Sequence, residues 1–427
     1  MPDVLHPSAP PLPETNLLQA VRRAVRNATW LFSSQTAARL IAFAMGTVLA
    51  RSFGAERFGE YMFVMAYVTY FAFLADGGLG RFLIRDASRE PHRAREFLAK
   101  TTSLRLALAA AVYVLMLAGA LVTRSDGART AYIAIAGLSL FSGAVTGALT
   151  SMFNAREEMR ISALFGMLSS LATAIFVLAA LAAGFGLLGV FIGATLASLP
   201  PLAYLALRWW QRMGRPGLTV DVAFWRMALG RSFPYALLGV IGLVYFRMDS
   251  LLLTWMKGTE ATGIYTAAYR LLDAVTDVPG VIVAAMFPTL SRLHVESKAK
   301  VRTTYLGALV TLSLLGLPVL LGMVLLAGPA IRILYGEEFS ESIVVLQLLA
   351  IAVYLIFVDT ANTMVLYASD NLRPVVLLSL VTTAANIGFC LLLIPPYAER
   401  GAAWATILST ALSIAIFTPV VLRSLRT

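Results

Sequence analysis

Apolar residues run along this chain in long blocks, interrupted by short polar, charged or glycine- and proline-bearing segments. The blocks are near the ~20 residues that an α-helix needs to cross the hydrocarbon core of a bilayer. Twelve crossings are predicted, at 29–51, 59–80, 102–122, 130–152, 162–183, 186–207, 231–255, 263–288, 305–327, 343–367, 372–394 and 401–422. Ahead of the first block, residues 1–16 are polar and proline-rich, and they read as a disordered tail rather than a secretory signal. Residues 17–28, LLQAVRRAVRNA, have the pattern of a short basic amphipathic helix on the membrane surface.

Composition agrees with the blocks. The chain is 59% hydrophobic and 13% charged, with a mean hydropathy of +0.78. Soluble domains carry about 25% charged residues, so the fold class predicted is an all-α polytopic membrane protein. Net charge is +11, and its placement is informative. Arg81, Arg85, Arg89, Arg93, Arg95, Lys100 and Arg105 follow the second block. Arg208, Arg212, Arg215, Arg226 and Arg231 follow the sixth, and Arg292, Lys298, Lys300 and Arg302 the eighth. Alternate loops are therefore basic, which assigns them and both termini to the cytoplasm. The same asymmetry explains the basic pI without nucleic acid as a partner. The single cysteine, Cys390, excludes an intrachain disulfide.

The chain repeats itself. GAERFGEY at 54–61 matches GTEATGIY at 258–265, pairing Gly54 with Gly258, Glu56 with Glu260, Gly59 with Gly263 and Tyr61 with Tyr265. ATLAS at 194–198 echoes ATILS at 405–409. Two six-helix halves of like orientation follow, related about the membrane normal and enclosing a cleft. The division predicted is a tail and surface helix at 1–28, lobes at 29–207 and 231–422, a cytoplasmic linker at 208–230 and a tail at 423–427. Spans one and seven, equivalent in the repeat, are expected to face each other across the cleft.

Several charges fall inside the predicted spans, where each costs at least a few kcal/mol unless it meets a cavity or a partner. The basic ones are Arg39, Arg247 and Arg270; the acidic ones include Asp249, Asp273, Asp277 and Asp359. Arg270, Asp273 and Asp277 share one helical face, and Pro279 follows them. A static salt bridge between helices and a wet binding cavity both account for such a set. Asn362 and Asn386 are further polar candidates. No metal-ligand cluster, nucleotide-binding loop or nucleophile elbow stands in a credible context, and the loop at 328–342 is too short for a catalytic domain. The reading is a secondary transporter without enzymatic activity or cofactor.

Particular runs then resemble a known family. ARSFGAERFGEY, the DGGLG end of span two, FNAREEMR, YFRMDSLLL, TGIYTAAYRLLDAV, MFPTLSRL and AANIGFCLLLIPPYAERGAAWATILS occur in an order similar to the polysaccharide-transport branch of the multidrug/oligosaccharidyl-lipid/polysaccharide exporter superfamily. The resemblance implies a V-shaped pair of six-helix lobes around a cationic cavity. It implies a flippase in a bacterial inner membrane that moves undecaprenyl-pyrophosphate-linked oligosaccharide to the outer leaflet for O-antigen, capsule or exopolysaccharide. Its partners would be that lipid-linked oligosaccharide, membrane lipids and other polysaccharide-assembly proteins. The family's Arg-x-Asp falls on Arg247 and Asp249. Arg39, Arg247 and Arg270 become the pyrophosphate candidates, and Asp249, Asp273, Asp277 and Asp359 the candidates for coupling or salt bridges. Whether a sodium or a proton gradient drives the cycle stays open. The rivals are a cation-coupled antiporter of drugs or metabolites and a membrane polymerase or ligase.

Overall fold

The computed structural model describes residues 14–122, 126–214, 217–296, 298–368 and 373–425. These are helical, with no strand among the described residues. In chain order the helices are α1 (Glu14–Asp76), α2 (Leu79–Arg89), α3 (Ala94–Val122), α4 (Gly127–Gly137), α5 (Ser139–Ala155), α6 (Met159–Ala182) and α7 (Gly186–Leu196). They continue as α8 (Leu199–Met213), α9 (Val222–Lys257), α10 (Thr259–Glu296), α11 (Lys298–Leu334), α12 (Ser342–Ala368) and α13 (Arg373–Ser424).

Among the described residues, 8 helical stretches are long and apolar enough to cross a membrane. Two of them, Thr29–Arg89 and Val376–Arg423, extend over 61 and 48 residues, room for two crossings each. The long helices that run through them, α1 and α13, are each broken internally by one residue off helical geometry. In α1 it is Gly54, at φ 72°; in α13 it is Ala398, at φ 48°, just after Pro395 and Pro396. Gly401 there is pressed against the Leu393 carbonyl, so α13 turns back on itself. Large side chains point outward along the spans, among them Leu325 (74% exposed) and Leu392 (71%). Such apolar exposure suits lipid rather than water, and the protein is a multi-pass membrane protein.

Local chemistry sets the element ends. Asp221 caps α9, its carboxylate accepting from the Phe224 N–H at 2.9 Å. Pro200 and Pro201 lie in the first turn of α8, where the missing N–H groups are tolerated, and α7 and α8 together form the stretch Gly186–Met213. One expectation is corrected at the N-terminus. Residues 17–28 form no separate surface helix but run straight into the first crossing as part of α1.

The repeat is visible in the backbone. Gly54 (φ 72°, ψ 179°) and Gly258 (φ 93°, ψ −177°) take the same left-handed conformation, which suits only glycine, at the same place in the two halves. Between the halves, α1 lies against α10. A Cβ at Gly59 would overlap the Thr259 carbonyl and sit 2.8 Å from the Gly263 nitrogen. A Cβ at Gly263 would overlap the Ala55 carbonyl and sit 3.1 Å from the Gly59 nitrogen. Each residue thus meets its partner's repeat equivalent, the contact that a two-fold relation generates.

That relation also decides which elements touch: spans one and seven both line the cleft, through Arg39 and Asp249, while each packs against the other's neighbour. The first crossing meets α10, where Arg270 lies over Gly46 and Ala42. The second meets α9, where Phe73 fills the space beside Gly239 and Gly78 abuts Ser232 and Ala236. Pairing is crosswise, because a two-fold axis between the halves brings each element to the other's neighbour.

One hydrophobic core runs through both halves, including Leu49, Phe58, Val64, Leu253, Tyr265, Leu349 and Ile394. A second, of Leu79, Phe82, Leu98, Leu149, Phe153, Trp209 and Phe224, binds α2 and the start of α9 to the first half. Asp86, on the buried face of α2, reaches Arg85 at 3.0 Å and Arg231 of α9 at 3.3 Å.

Candidate functional site: a cavity between the halves

A cavity of about 1640 Å³ opens between the two halves. Its charged lining, among the described residues, is Arg39 of α1, Arg81 of α2, Asp249 of α9, Arg270 and Asp273 of α10, and Asp359 of α12. The guanidiniums gather toward the first half. Arg270 belongs to the second half yet reaches over, donating from Nη2 to the Ala42 carbonyl. Its guanidinium fits because Gly46 has no side chain there. Arg39 is three residues before Ala42, on the same face of α1.

Asp249 and Asp359 belong to the second half, as does Asp273, which is three residues along α10 from Arg270 on the same helical face. Asp249 is buried, and the fully buried Tyr265 donates its hydroxyl to it. Asp359 accepts from Ser413 Oγ at 2.7 Å and from the Asn362 amide at 3.2 Å. Asp249 also accepts from the Ser250 N–H at 2.7 Å, so hydroxyl, amide and backbone donors help to hold the two carboxylates. Asn386 also lines the cavity, donating to Ser409 Oγ at 3.0 Å.

The predicted residues therefore divide. Arg39, Arg270, Asp249, Asp273, Asp359 and Asn386 are brought to one cavity. Asn362 is not among its lining residues. It is fully buried, binding Tyr305 (2.8 Å), Thr418 (3.1 Å) and Asp359, and it holds Asp359 from behind. The side chains of Arg247 and Asp277 lie outside the described residues. Sequence reasoning missed Arg81, whose position at the end of a basic loop already had an explanation in membrane orientation. It also missed the hydroxyls of α12 and α13, which form much of the second half's wall.

Two halves around a central cavity of mixed charge make up the architecture, and comparison with solved structures finds the same fold. The lipid II flippase MurJ in an inward closed conformation superposes with a TM-score of 0.75 at 13% identity, covering 94% of this chain and 89% of that one. An inward-facing multidrug resistance MATE family transporter of the MOP superfamily superposes with a TM-score of 0.71 at 15% identity, covering 91% and 96%. At these identities the likeness concerns the fold. The sequence goes further: residues 24–294 match the family described as polysaccharide biosynthesis protein, and 274–427 match the lipid II flippase MurJ family. The first match covers more than half of the chain, which belongs to the polysaccharide biosynthesis protein family. The succinoglycan biosynthesis transport protein ExoT of Rhizobium meliloti (strain 1021) is 25% identical over 332 residues. That match covers 77% of this chain and 65% of ExoT, so the chain spans just under two thirds of that relative's length.

Proposed function

We propose that this protein is a flippase carrying undecaprenyl-pyrophosphate-linked oligosaccharide from the cytoplasmic to the outer leaflet of a bacterial inner membrane, for assembly of a surface polysaccharide. The observation that carries the reading is the gathering of Arg39, Arg81 and Arg270 on one wall of a cavity between two halves. A pyrophosphate is doubly anionic and cannot enter hydrocarbon bare. Guanidinium forks offer paired donors that replace its hydration shell. The cavity, at about 1640 Å³, exceeds the ~300–1,000 Å³ of ordinary small-molecule pockets and has room for several sugars. The polyprenyl tail stays in the bilayer between the lobes. Family membership and the match to a succinoglycan transport protein support this cargo class.

No covalent step is needed. The lobes, taken as 29–207 and 231–422 with a cytoplasmic linker at 208–230, rock about their contact and expose the arginines to each leaflet in turn. Arg247 belongs to the same proposal through its sequence position. Asp249, Asp273 and Asp359, with Asp277, are the groups that exchange a proton or a cation during the cycle.

Complementation of a strain lacking its own flippase tests the assignment. Arg39→Ala and Arg270→Ala are expected to abolish surface polymer at matched protein level, and Arg→Lys to restore part of it. Gly46→Ala, which displaces the Arg270 guanidinium without removing it, is expected to act like Arg270→Lys. Wild-type polymer from both Ala variants would refute the pyrophosphate role.

A further inference from the structure

The two walls of the cavity differ in hydrogen-bond chemistry. From α1 and α2 come Arg39, Arg81 and an apolar strip containing Phe43, Met62 and Met65. From α12 and α13 come hydroxyls, among them Thr360, Thr363, Ser379, Thr383, Thr406 and Thr410. Most of these have already spent their proton on a backbone carbonyl of their own helix. Thr360 donates to Ile356 at 2.6 Å, Thr363 to Thr360 at 3.0 Å and Thr383 to Ser379 at 2.7 Å. Thr406 donates to Ala402 at 3.1 Å and Thr410 to Thr406 at 2.8 Å.

A hydroxyl has one donor and two acceptor sites. With the donor turned back to the helix, the oxygen presents acceptors to the cavity. Phosphate oxygens are themselves acceptors and gain nothing from such a surface. Sugar hydroxyls are donors and gain a bond at each position. The one charged group these two helices add to the cavity lining is the carboxylate of Asp359, another acceptor. No lysine or arginine of α12 or α13 is among the described lining residues, so an acidic sugar would meet repulsion without compensation.

We infer that the α12–α13 wall is the glycan subsite, and that it takes uncharged, hydroxyl-rich sugars in preference to acidic ones. The pyrophosphate lies on the arginine wall, and the first sugars lie along Thr360, Thr363, Ser379 and Thr406. The inference rests on the flippase reading and divides the cargo between two walls that this reading treats as one cavity.

Binding to the purified full chain in lipid nanodiscs tests it. The probes are polyprenyl pyrophosphate without sugar, the same lipid bearing a neutral trisaccharide, and the same lipid bearing a trisaccharide with one uronic acid. The wild type is expected to hold the neutral glycolipid about tenfold tighter than the sugarless lipid, the worth of one or two net hydrogen bonds. Thr360→Val/Thr363→Val/Ser379→Ala is expected to bring the two within about twofold, on the same estimate, by weakening the glycolipid alone. Arg270→Ala is expected to weaken both lipids together. Thr363→Val alone, nearly isosteric, is expected to give part of the loss and guards against a misfolded triple variant. A glycan preference that survives both wall variants, an equal weakening of both lipids by them, or tighter binding of the acidic glycolipid overturns the subsite. Failure of the wild type to bind any of the three lipids removes the flippase reading instead.

Discussion

Gly59 and Gly263 are pressed together where the helices cross, the Thr259 carbonyl filling the space a side chain at Gly59 would need and the Ala55 carbonyl that of one at Gly263. The contact joins the halves through backbone alone and leaves no room for even one methyl group. Gly59→Ala and Gly263→Ala are each expected to cost about 1–3 kcal/mol, the usual penalty of overpacking, and to depress transport. Because the two sites share one contact, their double variant should cost less than the sum. Gly143→Ala and Gly307→Ala, where a Cβ meets nothing within 4 Å, serve as controls within about 0.5 kcal/mol of wild type. Thermal unfolding in detergent reads the first effect, and equal melting temperatures for contact and control variants would sink the idea of a tight inter-lobe joint.

A second expectation concerns coupling. Asp359 is fixed by Ser413 and Asn362, and Asp249 by Tyr265, so both carboxylates are held ready at the cavity wall. Asp359→Asn and Asp249→Asn should uncouple transport of labelled lipid-linked sugar from an imposed gradient while leaving downhill equilibration. Uptake into vesicles with and without a proton or sodium gradient distinguishes the cases. Gradient dependence equal to wild type in both variants would leave these carboxylates a purely structural role.

The linker gives a pH-dependent prediction. Lys100 of α3 holds Asp221 at 2.7 Å, and its hydrogen bond keeps the Asp221 carboxyl below its usual range, helped by the Phe224 N–H. A carboxyl whose folded pKa is depressed adds stability above the unfolded value, about 3.8, and loses it as pH falls through the folded one. Glu96, lowered to about 2 by Arg93 and Lys100, behaves in the same sense. Asp221→Asn keeps the helix cap but removes the charge. It should melt earlier than wild type at neutral pH, with the gap narrowing below about pH 4, close to that unfolded value. A gap that holds constant into acid would show that the ion pair contributes nothing.

The fold was legible because burial in lipid imposes run length, and twenty-residue apolar runs have few other meanings. The repeat was legible from Gly54, Gly59 and their equivalents, since a backbone that needs glycine leaves glycine in both copies. Crosswise pairing was not, because a repeat in sequence fixes orientation but not which neighbours meet. At the site, Arg39 and Arg270 stood out through the cost of charge in a span. Thr360, Thr406 and their neighbours did not. A threonine that bonds its own helix looks the same in sequence whether its oxygen faces lipid, protein or water. Asn362, visible in the sequence only as a polar residue in a span, spends its polarity on Tyr305, Thr418 and Asp359 inside the protein.

The matching turns at Gly54 and Gly258 have a consequence for how a passenger sits in the cleft. Two copies that had kept identical surfaces would offer a passenger two equivalent berths, and it could board either way round. Here the skeleton is duplicated but the walls are not, arginine on one side and hydroxyl on the other. On the proposed division of the cargo, a head-and-tail passenger then has one berth, because the divergence of the copies decides which half meets its head and which its glycan.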